Sequence, residues 1–168
     1  MRPVLSSLLL VAALPAMASD LRPEIQRPAA QPQAVGVAHT LRQIPEACAR
    51  IEGVFTGDAA EPYRFAVVRT RPDCQARARF VDAAKARPAE SAGWVLNDLL
   101  RVPSAGCPSL QAVVRVWRLP VEQAPELDGQ GQLRVYAADA RKAAGAPGAA
   151  AIPMYAAEMS VEGEACGP

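Results

Sequence analysis

The sequence predicts a mainly β domain: a small antiparallel sheet or sandwich with one short N-terminal helix, stapled by two disulfides, with an α+β arrangement as the alternative. Three observations point there. Apolar and polar residues alternate in short runs separated by Pro- and Gly-containing turns, the period-two signature of half-buried strands. The chain is poor in large apolar side chains, since of 168 residues 35 are Ala and 37 are Leu, Ile, Val or Phe, seven of these within the first 18. Four cysteines, Cys48, Cys74, Cys107 and Cys166, can supply the stability that so lean a core withholds. The figure of 51% hydrophobic residues therefore overstates the core, and the length supports one domain rather than two.

The first segment, residues 1–18, has a positive start at Arg2, an apolar run over 4–14 and small residues at Ala16 and Ala18. This is the pattern of a secretory signal peptide cleaved before Ser19. Eleven mostly apolar residues are too few to cross a bilayer, which needs about 20. No cysteine follows until Cys48, so a lipoprotein attachment site is not expected. The expected location is periplasmic or secreted, with no transmembrane segment after signal removal.

Residues 19–38 hold Pro23, Pro28 and Pro32 without an apolar period and read as a flexible Pro-rich arm; the folded domain is expected over 39–166. Within 40–51, Leu41, Ile44, Cys48 and Ile51 recur at spacings of three and four, which predicts the short helix, started or bent near Pro45. Residues 63–71 and 75–82 alternate on either side of Pro72-Asp73 and read as a β-hairpin with Cys74 at its turn. Residues 93–102 fit either a strand or one helical face and are read as a strand because Pro103 and Gly106 follow. Further strands are expected at 113–119, 132–137 and 154–161, with a turn-rich stretch at 122–131 and a mobile, Ala-rich connection at 137–151.

An even cysteine count in an exported chain reads as two disulfides. Three pairings are open, and shorter loops favour Cys48 with Cys74 and Cys107 with Cys166. A single up-and-down sheet would bring Cys48, Cys74 and Cys107 to one end. No CxxC pair or zinc-ligand spacing occurs, and neither a metal nor a cofactor is expected.

Loss of Arg2 leaves 17 basic and 17 acidic side chains, a balance that argues against nucleic-acid binding, which relies on excess positive charge. The basic residues concentrate between Arg64 and Arg118. Arg69, Arg71, Arg77 and Arg79 share one parity across the expected hairpin, so an odd-length turn would gather them on one face suited to carboxylate or phosphate. They are the candidate binding residues, and the partner expected is an envelope protein or an anionic polymer. His39 has no catalytic or metal-ligating neighbour in sequence, no nucleophile motif occurs, and the aromatic residues Tyr63, Trp94, Trp117 and Tyr136 read as core. No catalytic residues are named. The function expected is a non-enzymatic binding or accessory module of the bacterial cell envelope; the alternatives are a hydrolase inhibitor presenting the 122–131 loop and, behind it, a small carboxylate-dependent hydrolase.

Overall fold

A computed structural model describes residues 21–121, 152–164 and 166. Three strands, β1 (His39–Ile44), β2 (Ala49–Phe55) and β3 (Tyr63–Arg69), form an antiparallel sheet in that order. Four more, β4 (Arg79–Phe80), β5 (Val95–Pro103), β6 (Gln111–Leu119) and β7 (Met154–Glu162), form a mixed sheet ordered β4-β7-β6-β5, in which only β4 runs parallel to its neighbour. The expected strands at 63–71, 93–102, 113–119 and 154–161 are found as β3, β5, β6 and β7. The expectations for 122–131, 132–137 and 137–151 fall outside the described residues.

The two sheets pack face to face. Ile44 and Ile51 of the first meet Leu100, Val114, Val116 and Ala157 of the second, and beside them Phe55 and Tyr63 meet Val102 and Ala112. A smaller cluster, Trp94, Leu96, Trp117 and Ala156, is covered by Val81, Ala83 and Ala86 around the single helical turn α1 (Ala83–Ala86). Both tryptophans and Tyr63 are therefore buried, as their place in apolar runs suggested.

No helix forms over 40–51. Pro45 opens a 3-10 turn at Pro45–Ala47, Cys48 adopts a left-handed conformation with φ 50°, and the chain doubles back so that β1 pairs with β2. The three-and-four spacing misled because Ile44 and Ile51 lie on separate strands and reach one core from both sides of the turn. The expected hairpin across Cys74 does not form either, since β3 and β4 belong to different sheets.

The disulfides are Cys48–Cys74 and Cys107–Cys166, with Cα separations of 6.0 and 5.6 Å, the pairing that short loops favour. They do not share an end. Phe55 and Tyr63 pack beside Val102 and Ala112, next to the Cys107 turn, whereas Cys48 begins the opposite end of β2. The single-sheet arrangement that would have joined them gives way to two sheets.

The stretch expected as a flexible arm is hydrogen-bonded along the edge of β5. Ile25 N–H donates to Asn97 O at 2.8 Å, Ala30 N–H to Arg101 O at 2.8 Å and Gln33 N–H to Pro103 O at 2.9 Å, before Gly36 N–H reaches Phe55 O on β2. Glu24 accepts from Arg118 and from Asn97 at 2.9 Å, pinning the start of the segment to β5 and β6. One side of the sandwich is thereby closed.

Candidate functional site

Two β-bulges bring opposite charges into the space between the sheets. The register of β1 shifts between Thr40 and Arg42, so Arg42 pairs with Ile51 and shares its inward face. The register of β5 shifts between Leu96 and Asp98, which turns Leu96 to the outer cluster and Asp98 to the interior. Asp98 is 0% exposed; its Oδ2 lies 3.0 Å from Arg42 Nε and 2.9 Å from Arg27 Nε. A buried carboxylate needs such compensation, so this cluster reads as an internal tie joining arm, β1 and β5.

His39 forms a second polar contact, at the sandwich end near Cys107. Its Nδ1 donates to Val37 O at 3.1 Å, which leaves Nε2 to accept the Tyr63 hydroxyl at 2.8 Å in the neutral ring. Burial raises the Tyr63 pKa well above the ordinary phenol value. The ring of Tyr63 crosses β2 where Gly53 sits; a Cβ there would lie 1.8 Å from the hydroxyl. With both ring nitrogens engaged, His39 holds Tyr63 in place.

The open feature lies on the side opposite the arm. β4 accompanies β7 for two residues only, Arg79 beside Met154 and Phe80 beside Tyr155, and then gives way to α1. Beyond that point β7 has no neighbour on this side among the described residues, and β3 is the last strand of its own sheet. The resulting cleft, about 850 Å³, is lined by Phe65 and Val67 of β3, Phe80 of β4, and Ala157 and Met159 of β7, with Arg115 and Glu158 toward its outer face. Val67 is 40% exposed, an apolar side chain left without a cover.

Both carboxylates lining the cleft accept a hydrogen bond from the protein. Asp82 caps α1 by accepting from Ala84 N–H at 3.0 Å, and Glu158 accepts from Trp117 Nε1 at 3.2 Å. Among the described residues no group of three or more His, Cys, Asp or Glu is placed to hold a metal ion, and no helix is long and apolar enough to cross a membrane.

The chain passes from β3 to β4 through residues 70–78, a loop that connects two cleft-lining strands without lining the cleft itself. It joins the four candidate arginines. Arg69 and Arg79 end and begin strands in different sheets, so the common face expected from their parity is not built; Arg71 and Arg77 lie in the loop between them. All four are exposed, and none pairs with an acid among the described residues. Arg69 braces the loop, donating from Nε to Arg71 O at 3.0 Å and from a terminal nitrogen to Cys74 O at 3.0 Å. Cys48–Cys74 and the bonds from Arg77 and Ala78 N–H to Glu46 O tie the same loop to the start of β2. None of the four lines the cleft itself; they sit on the stretch that runs from Val67 of β3 to Phe80 of β4, two residues that do line it. Sequence reasoning picked out this charge but missed the cleft, because a strand position left open among the described residues leaves no pattern in the residues that flank it.

No protein-family model matches this chain, and no curated protein or solved structure matches it, so geometry and charge alone carry the functional reading.

Proposed function

We propose that this protein is a non-enzymatic binding or accessory module of the bacterial cell envelope, exported by its first 18 residues, and that it holds an anionic partner at the cleft between β3 and β7. The observation that carries the reading is a largely apolar cleft, uncovered among the described residues, two of whose lining strands are joined by residues 69–79, which carry four exposed arginines and one acid, Asp73. Apolar walls supply affinity without direction, whereas guanidinium groups at one end orient a carboxylate- or phosphate-bearing partner. Two disulfides suit a chain that works in an oxidising compartment.

The test is salt-dependent binding of the disulfide-intact protein to an anionic fraction of an envelope extract. The paired substitution R69S and R77S is expected to weaken binding by roughly tenfold, the equivalent of one lost charge-assisted hydrogen bond. Arg77 makes no side-chain contact among the described residues and Arg69 only braces an exposed loop, so the melting temperature should stay close to that of the parent. Absence of salt-dependent binding to every anionic fraction would sink the reading.

A further inference from the structure

We propose that the cleft receives an extended peptide segment of a partner protein as an added strand beside β7, with acidic residues at the end of that segment nearest the 70–78 loop. This deepens the binding function proposed above and rests on it. The argument starts with backbone groups. At the start of β7 the carbonyls of Pro153, just before the strand, and Tyr155 accept from the N–H groups of Arg79 in β4 and Val81 just after it, each at 2.8 Å. N–H and C=O groups of one residue point to the same side of a strand and the side alternates, so those of Ala157, Met159 and Val161 point the same way as Tyr155. Past Tyr155, β4 has left, and no described residue pairs with them. They form a row of donors and acceptors at strand spacing along the cleft.

The surroundings fit a strand better than a small ligand. The vacant position continues the line of β4, and the cleft reaches both faces of the sheet: Phe65, Val67 and Phe80 on the inner side, Ala83, Arg115 and Ser160 on the outer. An incoming strand would set alternate side chains against these two walls, apolar ones inward and polar ones outward. Exposed edges are commonly protected by charged side chains, proline or a bulge; residues 157–162 contain no Lys or Pro and pair with β6 without a register shift, and their two charges, Glu158 and Glu162, are engaged by Trp117 and by Arg101 and Arg115. Charge gives direction. The arginine-bearing stretch leads into β4 at one end, whereas at the far end of β7 Glu162 is already paired with Arg101 and Arg115 and Glu164 follows it, so the segment should be acidic toward the first end.

Hydrogen exchange on the disulfide-intact, isotope-labelled mature protein tests this. The probe is a capped peptide, Glu-Glu-Val-Thr-Val-Thr-Val, with a Lys-Lys counterpart and an N-methylated version that cannot pair along one edge. In the free protein the amides of Ala157, Met159 and Val161 should exchange readily. With the Glu-Glu peptide they should slow by at least roughly tenfold, the N-methylated peptide should fail to protect them, and M159P should abolish protection. That substitution removes an amide pointing away from the β6 ladder, which an edge tolerates. V67K offers a second block on the opposite wall should M159P fail to fold.

Protection of the three amides before any peptide is added would overturn the inference, since the position would then be filled by residues 132–137 of the chain itself or by a second copy. Equal protection by the N-methylated peptide would overturn it too. The outcomes separate it from the broader reading. Salt-dependent binding to an anionic fraction without protection of β7 defeats strand addition alone, and equal affinity for the Lys-Lys peptide with protection intact defeats the anionic preference alone.

Discussion

Asp98 shows how much of this fold hangs on single positions that a pattern of apolar and polar residues cannot identify. In the run WVLNDLLRV it looks like the polar half of an alternation, yet the bulge at Asn97 places it in the interior between Arg27 and Arg42. Nothing local announces a bulge, and the partners stand 71 and 56 residues away in sequence. The arrangement makes a definite prediction. D98A leaves Arg42, whose side chain is 28% exposed, without its counter-charge and should cost about 3–5 kcal/mol in urea unfolding. Replacing Arg42 by Met together with D98L should recover most of that loss, because a well-packed apolar pair often matches a buried ion pair. A loss under about 1 kcal/mol for D98A would show that the interior is wet enough to solvate the charge.

Among the elements, β3, β5, β6 and β7 were legible as strands, whereas β1 and β2 and the division into two sheets were not. The alternation in β3 and β6 and the apolar run of β7 mark strands directly, whereas the division into two sheets is made by the 70–78 loop, whose sequence reads equally well as a hairpin turn. The 21–38 segment was illegible for a different reason. It lies on β5 through backbone hydrogen bonds and through Glu24 and Arg27, and neither kind of contact requires an apolar period. Its docking should depend on pH. Hydrogen bonds from Arg118 and Asn97, more than charge alone, hold the Glu24 carboxyl below its ordinary pKa of 4.5. A carboxyl depressed in the folded state stabilises fully above the unfolded value and loses that contribution as pH falls through the folded one. Amides of Glu24 and Ile25 should therefore exchange faster as pH drops below about 4.5, after correction for intrinsic rates, and E24Q should show the faster exchange already at pH 7. Identical pH profiles for parent and E24Q would separate Glu24 from arm docking.

At the scale of the whole molecule the two disulfides divide the work by end. Cys48–Cys74 closes 26 residues and secures the arginine loop against β2, while Cys107–Cys166 closes 59 and secures the end of β7 to the turn between β5 and β6. At the second end Ser109 Oγ also donates to Glu164 O at 3.0 Å, and Gly163, at φ 93°, passes so close to the Ser109 carbonyl that a Cβ would lie 1.8 Å from it. Each bridge contributes roughly 2–4 kcal/mol against a total stability of about 5–15 kcal/mol for a domain of this kind. The chain-entropy account makes the longer loop worth more by roughly 0.7 kcal/mol, since the contribution grows with the logarithm of loop length. Thermal unfolding of the protein in excess dithiothreitol should accordingly shift far downward, and C107S/C166S should melt below C48S/C74S. The two pairs should differ in function as well. Loss of Cys48–Cys74 frees the loop that presents the arginines and should weaken anion binding beyond its effect on stability, whereas loss of Cys107–Cys166, at the other end, should lower the melting temperature and leave the binding of the folded fraction unchanged. An unchanged melting temperature under reduction would mean that the small apolar core holds the sandwich by itself.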